Sequence, residues 1–134
     1  MSKDWCHDIA MMHEHYGVNK VVDKMDPETL RKFLDFRVKF LQEELDELNN
    51  ADNPEDIVDA LIDLCVVAIG TLDSFDVNPY VAWDAVLKAN MAKKIGVKES
   101  RPNPLGLPDL IKPEGWVAPE HKDNIGLVSK LFKD

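Results

Sequence analysis

Three Asp-Pro or Asn-Pro pairs mark where helices begin along this chain. In each pair, the first side chain supplies an N-cap oxygen, and the proline takes the first helical position, where no backbone N–H is required. The pairs are Asp26-Pro27, Asn53-Pro54 and Asn78-Pro79. Together with the apolar spacing that follows them, they predict helices over residues 27–50, 54–75 and 79–95.

A fourth helix is predicted near the N-terminus, over residues 3–16, with Gly17 as its stop. Its apolar residues recur at spacings of four, three and four, as one face of a helix requires. They are Trp5, Ile9, Met12 and Tyr16. Because no convincing strand pattern accompanies the four helices, we expect an all-α four-helix bundle.

The C-terminal part of the chain has a different composition. Five of the eight prolines follow Arg101, which predicts an extended, turn-rich tail over residues 97–134 that packs on the bundle. A short helix is expected near residues 124–132. The length of 134 residues favours one domain, residues 1–134, whose helical part covers residues 1–96.

Charge and hydropathy narrow the possible partners. A net charge of −9 argues against binding to a nucleic-acid polymer, which requires clustered Lys and Arg. No apolar stretch reaches the roughly 18 to 20 residues of a membrane span, so no membrane partner is expected. The acidic, histidine-containing N-terminus does not match a signal peptide, and Cys6 and Cys65 form no CxxC pair. We therefore expect a cytoplasmic protein.

Two groups of carboxylates stand at unusual positions in the second and third predicted helices. On a helical wheel, Glu44 falls inside the apolar arc of the second helix and Glu47 lies at its edge. Between residues 57 and 72, only Asp59 and Asp63 are charged, and apolar residues surround the helix. Such a pattern predicts a third helix that is buried on all sides.

A short loop over residues 49–53 predicts an antiparallel hairpin that brings the two acidic groups face to face. Two like charges about 4 Å apart repel by about 4 kcal/mol at an effective dielectric constant near 20, so cations must neutralise them. Oxygen ligands select hard ions, which predicts Mg²⁺ or Mn²⁺ in a mononuclear or multinuclear site. We expect two or more ions per site. The predicted ligands are Glu44, Glu47, Asp59 and Asp63. The alternative is a structural cluster that is protonated or paired with Arg37.

The sequence around these acids resembles a known family. "EELDE" at residues 43–47, followed by "VDALIDLCVVAIG" at residues 58–70, is similar to the EExxE and ExxD motifs of the MazG-like all-α nucleoside triphosphate pyrophosphohydrolases. Dimeric dUTPases and phosphoribosyl-ATP pyrophosphohydrolases are relatives of that family. The segment "LIKPEGWVAP" at residues 110–119 resembles the tails of short, phage-encoded members.

The resemblance implies catalytic roles for the three glutamates. Glu44 and Glu47 correspond to metal ligands, and Glu43 corresponds to a general base or a further ligand. Asp63 corresponds to the Asp of ExxD. In the family, these groups hold metal ions while a water molecule attacks the substrate.

The match to ExxD breaks at one position. The motif's Glu would fall at position 60, where this chain has Ala60. Asp59 is one turn before Asp63 and could replace the missing carboxylate, while Asp56 offers another register. The sequence leaves both possibilities open.

The resemblance implies a metal-dependent enzyme that converts a (deoxy)nucleoside triphosphate into the monophosphate and pyrophosphate, by attack of water at the α-phosphate. Similarity to phage-encoded members favours a purine such as dGTP. The alternatives are dUTP, phosphoribosyl-ATP, or a non-catalytic helical binding protein. We also expect a homodimer or homotetramer, because two long amphipathic helices bury little area by themselves and family members assemble.

Four further residues are candidates for substrate binding. Asn90 and Lys93 are three residues apart on one face of the fourth predicted helix, where they could contact phosphate or sugar or simply end an amphipathic helix. Arg37 could bind phosphate or pair with an acid. His13 could line a base pocket or pack against a neighbour.

Overall fold

The computed structural model describes residues 3–98, 100 and 105–132. The chain divides into two compact units. The first unit consists of Met1–Pro79 with Asn124–Asp134, and the second of Tyr80–Asp123. No helix in the described part of the chain is both long and apolar enough to cross a membrane. The single domain and the cytoplasmic location stay predictions.

The first unit begins with four helices: α1 (Trp5–Tyr16), α2 (Val18–Val22), α3 (Pro27–Asn50) and α4 (Pro54–Ser74). Two of the three predicted N-caps are confirmed, because the Asp26 side chain accepts from the Thr29 N–H at 2.7 Å and the Asn53 side chain accepts from the Asp56 N–H at 2.9 Å. Gly17, with φ of 71°, ends α1 as expected. Helix α2 is an addition that the sequence pattern did not predict.

Helices α3 and α4 form an antiparallel hairpin, connected by residues 51–53. The guanidinium of Arg37, in the first half of α3, donates to the side chain of Thr71 near the end of α4. Glu44, further along α3, interacts instead with acids near the beginning of α4. The predicted hairpin is therefore confirmed.

The core of the first unit lies at the end of this hairpin, where Leu30 and Phe75 are almost completely inaccessible to solvent. A C-terminal 3₁₀ helix, Gly126–Phe132, packs its apolar side chains against this core. The backbone N–H of Leu127 donates to the carbonyl of Phe75 at 2.7 Å. This confirms a short helix near residues 124–132 that packs on the bundle, in 3₁₀ rather than α form.

The prediction that the third helix is buried on all sides is wrong for the single chain. Val58 is 62% exposed and Leu61 is 47% exposed, while the buried residues of α4 are Ala60, Gly70 and Ser74. The physical reason is that α1 and α3 pack against α4 and leave the remaining face of this apolar helix uncovered. The predicted homodimer or homotetramer would cover apolar surface of this kind, and it stays a prediction.

The second unit contains most of α5 (Pro79–Met91) and a two-stranded antiparallel sheet, β1 (Lys94–Gly96) with β2 (Asp109–Ile111). Helix α5 is shorter than predicted, and the expectation of no strand is wrong here. The difference arises because residues 94–96 pair with a distant segment, a contact that local pattern cannot reveal. Since the sheet is small, the all-α class is confirmed.

Candidate active site

Four carboxylates on α3 and α4 of the first unit interact with one another. Glu44 is half-buried on α3, and its Oε2 atom is inaccessible to solvent with no hydrogen-bond partner among the described residues. Asp63 is half-buried on α4, whereas Glu47 and Asp59 are exposed. A buried carboxylate oxygen without a partner is costly, and it needs a proton or a cation nearby.

The pKa values of two of these acids show that the four groups interact. Burial raises the pKa of Glu44, and a side-chain hydrogen bond and charge repulsion from Glu47 raise it further, followed by repulsion from Asp63 and Asp59. Burial also raises the pKa of Asp63, with further contributions from Asp59 and then Glu47. The charged forms therefore destabilise one another in the absence of a cation.

The chemistry of this donor set fits a hard divalent ion, because it offers carboxylate oxygens with neither sulfur nor imidazole. In the described part of the chain, no group of three or more such side chains is close enough to hold a metal ion as it stands. Mutual repulsion favours an open arrangement of the acids, and a cation would remove that repulsion. Such a cation would also give the unpartnered oxygen of Glu44 a partner.

The remaining two acids of the motifs have different surroundings. Glu43 is exposed and is not among the groups that raise the pKa of Glu44 or Asp63. The carboxylate of Asp56 accepts from the Asn53 side chain at 2.7 Å, at the beginning of α4. Of the two possible replacements for the Glu missing at position 60, Asp59 is thus the one that interacts with the other acids.

Removing charge from this cluster should stabilise the metal-free protein. We expect the double substitution Asp59→Asn with Asp63→Asn to raise the midpoint of thermal unfolding at pH 7 in EDTA. A carboxyl group whose pKa is raised by folding binds its proton more tightly in the folded state, so its penalty is absent below the unfolded pKa and grows as the pH rises through the folded pKa. The gain should therefore shrink as the pH is lowered toward 4.

A matched control is Asp35→Asn, which removes an exposed carboxylate from α3. It should leave the midpoint nearly unchanged. Adding Mg²⁺ should stabilise the unmodified protein more than the double variant. A lower midpoint for the double variant in EDTA would contradict the account of mutually repelling acids.

A second polar group lies further along the same hairpin. The Nε of Arg37 donates to Thr71 Oγ1 at 2.9 Å and its Nη2 donates to the carbonyl of Val67 at 3.0 Å. Burial lowers the pKa of this guanidinium. No carboxylate of the described residues pairs with Arg37, so the predicted ion pair is not observed there.

His13 is buried, with 5% of its surface exposed, and its Nδ1 lies 2.8 Å from Oδ2 of Asp73. Asn19 also donates to that carboxylate oxygen, at 3.3 Å. His13 was named from the sequence as a residue that could line a base pocket or pack against a neighbour, whereas Asp73 and Asn19 were not named. A signal existed for Asp73, because it directly follows the apolar run of α4.

Asn90 and Lys93 belong to the second unit, and the prediction that they share one helix face is wrong, because α5 ends at Met91 and Lys93 lies beyond it. Asn90 is exposed, and the ammonium of Lys93 lies 5.3 Å from the centre of the Trp116 ring. A cavity of about 610 Å³ in this unit is lined by α5 and residues 113–120, and it includes neither of them. Their predicted contact with substrate stays a prediction.

Comparison with known proteins gives one finding about this site. The family model described as phosphoribosyl-ATP pyrophosphohydrolase matches residues 18–90, which includes the α3–α4 hairpin with all four acids. No curated protein and no solved structure matches the chain. Since the match covers more than half of the sequence, the chain belongs to the phosphoribosyl-ATP pyrophosphohydrolase family, within the MazG-like superfamily, and is a hydrolase that acts on phosphoanhydride bonds of nucleotides.

Proposed function

We propose that this protein is a metal-dependent nucleoside triphosphate pyrophosphohydrolase that releases a nucleoside monophosphate and pyrophosphate. The observation that carries the proposal is the buried, unpartnered oxygen of Glu44 among four mutually repelling carboxylates. A triphosphate carries several negative charges, so an acidic site can hold it only with divalent cations. The match of the family model to the hairpin that carries these acids supports the proposal.

The groups that would hold Mg²⁺ or Mn²⁺ are Glu44, Glu47, Asp59 and Asp63. When bound, such ions neutralise the carboxylates and the triphosphate and polarise the phosphoryl group under attack. Glu43 is exposed and directly precedes Glu44 in the sequence. We assign to it the acceptance of a proton from the attacking water, the role of a general base.

The proposal also names the nucleotide that is hydrolysed. A purine deoxynucleotide, dGTP first, is our leading candidate, with dUTP as the alternative pyrimidine. The family match to phosphoribosyl-ATP pyrophosphohydrolase favours phosphoribosyl-ATP as a second candidate. Each of these molecules has the same linkage between its α- and β-phosphates, so the carboxylate chemistry is common to all of them.

The test is pyrophosphate release from the common NTPs and dNTPs and from phosphoribosyl-ATP, with Mg²⁺, with Mn²⁺ and with EDTA. We expect release that EDTA abolishes, with the highest kcat/KM for a purine deoxynucleotide. Activity confined to phosphoribosyl-ATP would select the second candidate. Release that continues unchanged in EDTA, or no release from any nucleotide, would overturn the proposed metal-dependent reaction.

A further inference from the structure

Two sites on the α3–α4 hairpin are separated by seven residues on each helix. Arg37 is seven residues before Glu44 on α3, and Gly70 is seven residues after Asp63 on α4. Seven residues are close to two helical turns, about 10 Å, and return to nearly the same helix face. We call the line of contact between α3 and α4 the seam. In this antiparallel pair, Arg37 with Gly70 therefore lies about two turns along the seam from Glu44 with Asp63.

The guanidinium of Arg37 is fixed in place and retains capacity to bind. Its bonds to Val67 and Thr71 use two of the five N–H donors of an arginine. Both partners are neutral, and none of the described carboxylates forms an ion pair with it. Because its hydrogen-bond acceptors are neutral, the positive charge of Arg37 is not compensated by them. An anion between α3 and α4 would interact favourably with this charge.

Gly70 permits this arrangement. A methyl group at Gly70 would lie 2.7 Å from Nη2 of Arg37 and 3.2 Å from the ring of His13. The guanidinium and the imidazole therefore approach the same bare stretch of α4 backbone. Asp73 holds the imidazole from its other side, through Nδ1. Three helices thus position two nitrogen-bearing groups at one point of the seam.

We propose that Arg37, with His13 beside it, binds the terminal phosphate of the substrate and so selects triphosphates over diphosphates. The inference rests on the proposed function, which puts the reacting phosphate at the four acids. The phosphate chain then runs along the seam toward Arg37, and its far end meets the cation. Arg37 is a binding residue for the part of the substrate that leaves as pyrophosphate, and the three remaining N–H donors suit phosphate oxygens.

The first test compares a triphosphate with its diphosphate in Arg37→Met. We expect kcat/KM for the best triphosphate to fall tenfold or more, while the inhibition constant of the matching diphosphate changes less than about twofold, because charged hydrogen bonds to the terminal phosphate are the ones lost. Lys39→Met, which removes an exposed cation from the same helix, should change neither value. Equal losses for triphosphate and diphosphate would overturn the terminal-phosphate assignment.

The second test measures binding without turnover, by calorimetry with inorganic tripolyphosphate and Mg²⁺. Arg37→Met should weaken binding tenfold or more, and unchanged binding would overturn the inference. If Arg37→Met does not fold, Arg37→Lys replaces it, since it keeps the charge but loses the planar fork, and we expect weakened binding that remains measurable. Unaltered tripolyphosphate binding by folded Arg37→Lys would count against the site.

The two proposals can fail separately. A wild-type protein that hydrolyses nucleotides, with Arg37→Met unchanged in both assays, would retain the proposed function and overturn the phosphate site. A wild-type protein inert toward every nucleotide, whose tripolyphosphate binding still depends on Arg37, would retain the site and overturn the function.

Discussion

Replacing Glu47 by Gln should lower kcat/KM for pyrophosphate release by about 10²- to 10³-fold while the fold is kept. Glu47 raises the pKa of both Glu44 and Asp63, so it interacts with acids on both helices of the hairpin. Glutamine has nearly the same shape but lacks the negative charge that the proposed metal site requires. A loss of several kcal/mol in charge stabilisation corresponds to this change in rate, because each 1.36 kcal/mol is tenfold.

The matched control for this prediction is Asp46→Asn, one residue away. Asp46 is exposed, and its carboxylate accepts from Gln42 at 2.8 Å on the surface of α3. Its substitution should leave kcat/KM within about twofold of wild type. Circular dichroism should give the same helix content for both variants. A fully active Glu47→Gln enzyme would show that the metal-binding assignment is wrong.

The largest loss of stability is expected from Leu30→Ala. Leu30 has 0% exposed surface and lies in the cluster that contains Val22, Phe75 and Val77. Truncation removes buried methyl groups and leaves a cavity that tightly packed neighbours fill only in part. The free energy of unfolding should fall by about 2 to 5 kcal/mol, measured by urea denaturation at fixed protein concentration.

Leu30→Met is the control for this prediction, because it conserves side-chain volume. It should cost less than about 1.5 kcal/mol. If the alanine and methionine variants were equally stable, Leu30 would not be a close-packed part of the core. The m-value, which is the dependence of the free energy of unfolding on urea concentration, should be the same in both variants, since neither changes the surface exposed on unfolding by much.

The helices that the sequence predicted well are those with local signals. The beginnings of α3 and α4 depend on the caps Asp26 and Asn53, each of which acts within three residues. The β1 strand was missed because its partner is β2, more than ten residues away, and the end of α5 was wrong for the same reason. The exposed face of α4 could not be predicted either, because the apolar pattern of one helix does not reveal which other helices pack against it.

The site shows the same division between local and distant information. The acids of the hairpin were chosen from helical spacing and resemblance; Glu44 interacts with Asp63, and the roles of these acids stay predictions. The partners of Arg37 and His13 were not predicted, because they lie 30 or more residues away in sequence. Such contacts follow from how α1, α3 and α4 pack, which spacing along a single helix does not determine.

The discontinuous first unit has a consequence for synthesis on the ribosome. Phe75 and Leu30 are made early, but the segment Gly126–Phe132 that packs against their cluster is made about 50 residues later. At roughly 5 to 20 residues per second, the nascent core waits about 3 to 10 s for this cover. During that interval its apolar surface is open to chaperones, so demand for them should depend on translation speed across Tyr80–Asp123.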